Sequence, residues 1–444
     1  MANKYYKGVM IYMGLLATFI CISCVAFALA IYKNMLNPQV LFCGFIGIIS
    51  FLSCLRLFGL SQTSDLTYLL VIFGVTFYSI GVALSQKCTF KLNGKRLDTL
   101  GKTKNLINDK FVFALVLVLL VWTLYRAFTT VMPMIRGGYS LDMVRLVYFG
   151  YDVEGYSYRR IDSIIEMFVN LPFLYALIPI VSIELMCAKE NRELGTKTII
   201  MALIWIVLSC IISGGRLLIF NLIVVLVVAF LAQRVKKNYK FVKKRNYKRN
   251  IIILTILALL IYMMYQLSIK RTDSGTYEFL YQIYVYFCGC MPHTSLRLET
   301  VNFDYTYGMT FLSGILRPIM LVIKYLGNGE FPEIYQRTID IGVILQDAVR
   351  ISDGHTFNAF VLPFYYFYCD GGITAAIIES FLYGFFCGAV FFRTVKEFSK
   401  KRLAKYLLIV IYIATSMVRF SPSLVYFAFA YFYINFCFKK DSIV

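Results

Sequence analysis

The chain has 444 residues, of which 59% are hydrophobic and only 16% charged. Soluble domains carry about 25% charged residues, so this chain has too little polar surface to cover itself in water. Its net charge of +21 does not point to nucleic acid, because a protein that crosses a membrane many times gathers basic residues in its cytoplasmic loops.

Apolar runs long enough to cross a hydrocarbon core of about 30 Å recur from end to end. Lipid offers no partner to an unpaired backbone group, so the spans are expected to be helices. The alternating segments of about ten residues that mark a transmembrane barrel are not seen. In chain order the expected spans are 9–31, 40–58, 66–86, 111–132, 164–187, 198–212, 217–232, 251–268, 371–392, 406–418 and 422–438. The fold class is therefore an all-α polytopic membrane protein of about 11 helices (10–13), by the length rule for spans.

Charge sets the orientation. Residues 87–110 hold seven Lys or Arg against two Asp, 233–250 hold nine basic residues and no acid, and 393–405 hold six against one. With Lys439 and Lys440 after the last span, these segments are expected on the cytoplasmic side. Lys4, Lys7 and the small-residue steps of VAFALA resemble a secretory signal. The seven charges of 87–110 outweigh them, giving an amino end outside and a carboxyl end inside. No linker or internal repeat divides residues 1–444, which are read as one membrane domain. Within it, residues 269–370 form a large extracytoplasmic loop, too long for a mere connector and rich in Tyr and Phe. Stretches such as YEFLYQIYVYF suggest helices at the membrane interface.

Most of the 12 cysteines stand alone in apolar runs, as Cys21, Cys24, Cys43 and Cys387 do, and read as small buried hydrophobes. Cys288 and Cys290 are too close for an unstrained disulfide and lack the paired clusters of a zinc site. No P-loop is present. Neither a metal nor a cofactor is expected.

Three features carry candidate chemistry. Ser213-Gly214-Gly215-Arg216 must turn the chain between two short spans. Arg216 then opens the returning helix, whose positive end disfavours a cation unless an anion is there to meet it; the alternative is an arginine reaching for headgroups. Lys270-Arg271 close the outer end of a span, which suits the helix dipole and equally suits a substrate anion. The stretch 353–372, DGHTFNAFVLPFYYFYCDGG, contains His355, either a base for a hydroxyl group or a surface residue; the other histidine, His293, carries less weight. Asp370, before Gly371 and Gly372, is either a helix cap or a ligand. Arg297, Arg317, Arg337 and Arg350 add guanidinium forks that grip phosphates, interleaved with aromatic faces that pack on sugars.

At these residues the chain resembles the Wzy-type O-antigen and capsule polymerases. The resemblance rests on SGGR before a short span, the basic loop after it, the large outer loop, and NAFVLPFYYFYCDGG running into a span. It covers most of the chain in layout and about 25 residues in motif. It implies polymerisation of undecaprenyl-pyrophosphate-linked repeat units on the outer face of a bacterial cytoplasmic membrane, without metal or cofactor. Arg216 and Arg271 would hold the pyrophosphate and His355 would prepare the acceptor hydroxyl, with Arg297, Arg317, Arg350 and Asp370 on the substrate side. The implied partners are lipid-linked glycans, membrane lipids, a chain-length regulator and a flippase. A flippase of lipid-linked sugars and an O-antigen ligase are the alternative readings.

Overall fold

The computed structural model describes residues 2–91, 106–139, 143–144, 147, 160–187, 191–213, 215–235, 255, 258–260, 262, 266, 276–300, 304–327, 329–352, 355–358 and 360–439. Among these the only sheet is a two-stranded hairpin. The helices are α1 (Ala2–Tyr32), α2 (Pro38–Leu55), α3 (Asp65–Lys91), α4 (Asp109–Arg126), α5 (Met132–Arg136), α6 (Arg160–Ile165), α7 (Leu171–Met186), α8 (Thr196–Ile212), α9 (Leu217–Val235), α10 (Thr276–Cys288), α11 (Cys290–Thr300), α12 (Met309–Leu326), α13 (Glu333–Ile344), α14 (Pro363–Lys396), α15 (Lys400–Ala414) and α16 (Val425–Tyr433). Strands β1 (Val349–Ser352) and β2 (His355–Phe357) pair antiparallel. Seven helical stretches among the described residues are long and apolar enough to cross a membrane, and 196–212 and 217–232 are apolar but shorter. The all-helical membrane architecture follows from these stretches. Most of the span expected at 251–268 lies outside the described residues.

The region expected as outer loop is refined in three places. Residues 309–326, which fall inside that expected loop with its interfacial helices, form an 18-residue helix long and apolar enough to cross a membrane. Its apolar side chains Leu312, Ile315, Ile319, Val322, Ile323 and Leu326 are exposed, while Thr310, Ser313 and Gly314 are buried, so the helix is two-faced. The span expected to begin at Gly371 begins at Pro363 and carries the glycines inside it. The expected interfacial region also contains the β1–β2 hairpin.

The contacts group into two compact units, the first comprising 1–100, 275–398 and 412–428, and the second 101–274, 399–411 and 429–444. In the first, α3 and α14 pack so closely that a Cβ at Gly81 would lie 2.2 Å from the Phe381 carbonyl oxygen, and one at Gly384 would lie 2.1 Å from that of Tyr78. Gly384 and Gly388 stand one turn apart on the contact face, the small-residue spacing that lets membrane helices approach.

The second unit is tied at one end by an ionic clamp. Lys400 Nζ lies 2.7 Å from Glu184 Oε1 and 3.1 Å from Glu193 Oε1. The other Glu184 oxygen accepts the N–H groups of Glu193 and Leu194 at 2.7 and 3.2 Å. Glu193 Oε2 accepts the Ile107 N–H at 2.6 Å, and Asn108 N–H donates to the Cys437 carbonyl at 2.9 Å. Asp109 caps α8 from outside, accepting the Gly195 N–H at 3.0 Å and the Thr198 hydroxyl at 2.8 Å. Charge alone placed 87–110, 393–405 and the carboxyl end on one side of the membrane, and the clamp gathers residues of all three. Lys400 therefore departs from the picture of a solvated basic loop, because both it and Glu184 are buried.

Removing one partner of a buried ion pair typically costs about 3–5 kcal/mol. Lys400→Met is expected to lower the thermal unfolding midpoint of the detergent-solubilised protein, and adding Glu184→Leu to recover part of the loss. An unchanged midpoint in the single variant would contradict the clamp.

Candidate functional site

In the first unit the site grows from α11, which buries His293, Thr294, Ser295 and Arg297 together. Buried polar groups require partners. Ser295 Oγ accepts the Ser64 N–H at 2.9 Å and meets the Thr67 hydroxyl at 2.8 Å, fixing α11 to the start of α3. Thr294 Oγ1 accepts the Leu362 N–H at 3.0 Å, fixing it to the entry of α14. His293 Nδ1–H donates to the Phe360 carbonyl at 2.8 Å, and its Nε2 accepts from Arg297 Nε at 3.2 Å. An imidazole that accepts at Nε2 is neutral, and burial first of all, with the Arg297 guanidinium alongside, pushes it down to about 4. Arg297 Nη2 also donates to the Asp347 carbonyl. This guanidinium is thus held from two sides.

The β1–β2 hairpin lies against this pair, with the Phe357 ring 5.7 Å from that of His293, edge-on. Backbone pairing sets Arg350 opposite Thr356 and His355 opposite Ser352. Arg350 is exposed, and the Ile351 carbonyl accepts the Ser61 N–H at 2.7 Å. Arg297, Arg350 and the backbone of His355 therefore belong to one neighbourhood. Sequence reasoning undervalued His293 within it. Its i, i+4 spacing to Arg297 on one helix was the available signal.

Asp370 is committed elsewhere. Its carboxylate accepts the N–H groups of Thr310 at 3.0 Å and Phe311 at 2.8 Å, and the Thr306 hydroxyl. It is a helix cap, as one of its two readings held, but for α12 rather than for its own helix. The break in α14 follows directly, with Gly371 and Gly372 non-helical and Gly372 at φ 65°. The carbonyls of Cys369 and Asp370 are taken up by the N–H groups of Thr306 at 3.1 Å and Tyr307 at 3.0 Å. Glu379, buried beyond the break, was not anticipated, and its Oε2 has no hydrogen-bond partner. Arg317 is half-buried, 4.8 Å above the Phe331 ring, with Lys324 4.5 Å from the same ring, so it braces α12 on α13. Arg337 pairs with Glu333 at 2.6 Å and Asp304 at 3.4 Å. Arg271 lies outside the described residues.

In the second unit the expected turn is present between α8 and α9. Ser213 Oγ accepts the Gly215 N–H at 3.4 Å, and the Cys210 thiol reaches the Gly215 carbonyl. Arg216 is half-buried at the entry to α9, its carbonyl accepting the Phe220 N–H at 3.0 Å. Sequence reasoning missed the buried ion pair of Arg126 with Asp162, at 3.1 Å. Arg126 directly precedes the π-helical stretch Ala127–Val131, and Asp162 lies about one turn before the second, Glu166–Asn170, a distortion frequent at functional sites.

The His293–Arg297 pair has a pH signature. Unfolded, the imidazole binds its proton near 6.5; folded, it does so near 4. The unfolded state therefore binds more protons between these values, and stability falls as pH drops through that window, by up to about 3 kcal/mol. The unfolding midpoint is expected to hold above pH 6.5 and to decline toward pH 4. His293→Gln retains a donor and an acceptor without titrating, so it should flatten part of that decline. An identical decline in the variant would exclude His293 as its source.

No family model, curated protein or solved structure matches this chain.

Proposed function

We propose that the chain is a membrane glycan polymerase, which moves a glycan from a lipid pyrophosphate onto the hydroxyl of a second lipid-linked repeat unit. The observation that carries the reading is the buried Arg297 guanidinium, steadied by neutral His293 and the Asp347 carbonyl, in the segment whose charge balance assigns it to the outer face. A held guanidinium loses little freedom when it meets a phosphate oxygen, so its attraction goes into stabilising departing charge. In the reaction the acceptor oxygen bonds to the anomeric carbon, the bond from that carbon to the pyrophosphate oxygen breaks, and the hydroxyl proton passes to a base. His355 is assigned as that base, with Arg317 and Arg350 on the substrate side; Arg216 and Arg271 enter this reading through the resemblance alone. Asp370 contributes by holding α12. The leaving group is already activated, so orientation and charge stabilisation supply the catalysis. The topology in this reading has eleven crossings in a bacterial cytoplasmic membrane, with the site outside and α12 lying along the outer interface with its apolar face toward lipid.

One observation favours a second reading, transport of lipid-linked sugars. Discontinuous helices with polar groups at the break recur at transporter substrate sites, and α14 is broken beside Asp370 with Glu379 buried beyond. A deletion strain separates the two. Single-repeat glycolipid accumulating on the outer leaflet supports polymerisation, whereas accumulation on the inner leaflet supports transport.

Arg216→Ala and His355→Ala are each expected to reduce the product to single repeat units at normal protein levels. Arg297→Lys, which keeps the charge and loses the fork, should lower the elongation rate at least tenfold. Gel ladders of extracted polysaccharide read both effects, and full-length ladders in all three variants would overturn these assignments.

A further inference from the structure

Glu379 is an acid in a place where its charge has no counterpart. It stands close to the middle of the 34-residue α14, on the far side of the helix break from Asp370, and is 6% exposed. Ionisable side chains inside a membrane span are rare and mark a functional site by default. Across the break Glu379 contacts the Asp370 carboxyl group. Among the described residues no N–H or hydroxyl donor reaches its buried Oε2, and no Lys or Arg forms an ion pair with either acid.

The elements packed on α14 bring no cation to the pair. α2 has no charged residue, and α3 has none between Asp65 and Lys87. On α12, Arg317 and Lys324 are spent on the Phe331 ring. The Cys369 thiol lies near both acids and carries no positive charge in any state.

Asp370 has already claimed the favourable charge nearby. It accepts the Thr310 and Phe311 N–H groups at the amino end of α12, and a helix end offsets about half an elementary charge. A second carboxylate touching it would meet uncompensated repulsion in apolar surroundings. Two acids in such contact hold one proton between them. With the Thr306 hydroxyl, Asp370 takes three donors, so it is the acceptor of the pair and the proton belongs to Glu379. A metal ion does not suit the site, because the Cys369 and Asp370 carbonyls freed by the break are taken by Thr306 and Tyr307. A proton needs no cavity.

We infer that Glu379 and Asp370 form an intramembrane proton-binding site, in which Glu379 carries the proton and donates it in a hydrogen bond to Asp370. Its occupancy is tied to the break, since losing the proton would set two like charges together beside the cap that holds α12. The inference concerns proton binding alone, so it stands under polymerisation and transport alike.

The full chain in nanodiscs of phosphatidylethanolamine and phosphatidylglycerol is tested at neutral pH by infrared spectroscopy. The wild type is expected to show the carbonyl band of an un-ionised carboxylic acid, displaced from the position of an acid with a free hydroxyl. Glutamate carrying heavy carbon in its side-chain carboxyl should move that band. Glu379→Gln keeps a donor for Asp370 and should remove the band while holding the thermal midpoint. Dicyclohexylcarbodiimide, which attacks protonated acids in apolar surroundings, gives a second reading. The acid proton passes to a carbodiimide nitrogen, the carboxyl oxygen bonds to the central carbon, and the acyl group migrates to nitrogen as a stable adduct. Mass spectrometry of peptides should find this adduct on Glu379 at least tenfold above Glu184, which is also buried but paired with Lys400. The isotope shift and the adduct need no variant, so the test holds whether or not Glu379→Gln folds. The inference is overturned if the wild type lacks the band or the adduct, if folded Glu379→Gln retains the band, or if Glu184 reacts as readily. Suppression of the adduct by sodium chloride would also overturn it, because the site would then take a metal cation.

Discussion

The Asp370 carboxylate is the contact on which the architecture of the first unit turns. A helix broken inside an apolar span exposes carbonyls that lipid cannot satisfy, and α14 is broken at Gly371 and Gly372. The chain answers by bringing the amino end of α12 to the break. Thr306 and Tyr307 take the freed carbonyls, while Asp370 takes the N–H groups of Thr310 and Phe311 that α12 cannot satisfy itself. Two deficits cancel, and the carboxylate also meets the positive end of the helix dipole. The position of α12, and of the α13 helix braced on it through Arg317 and Phe331, follows from that exchange.

The same requirement shapes the other polar groups. His293 is neutral because both ring nitrogens are spent, one on a carbonyl and one on a guanidinium. In the second unit Lys400 draws Glu184 and Glu193 together, and Asp109 caps a helix from another segment.

Much of this was legible in the sequence. Hydrophobic length alone located α1, α2, α3, α4, α8 and α9, because a span must be apolar throughout. The SGGR turn and Asp370 as a cap followed from local preferences of glycine and aspartate. What escaped was long-range or two-faced. Amphipathic α12 lies within the stretch read as outer loop, because a helix apolar on one face only leaves no continuous apolar run in the sequence. Asp162 is 36 residues from Arg126, and nothing local announces their pairing. Lys400 looked like one of six cations in a solvated stretch, yet its acidic partners come from α7 and the connection before α8. Which helix Asp370 caps is a tertiary fact, and one sequence carries no signal of it.

The central claim, that arginines around a held guanidinium stabilise a departing lipid pyrophosphate while a glycan is transferred, is tested most directly by reconstitution. The purified chain in proteoliposomes is given a synthetic lipid-pyrophosphate-linked repeat unit and no nucleotide sugar, and the products are followed by mass spectrometry. The account predicts a ladder of oligomers, with one lipid pyrophosphate released for each linkage formed. Unchanged single repeats, or their movement across the bilayer with no linkage formed, would contradict it.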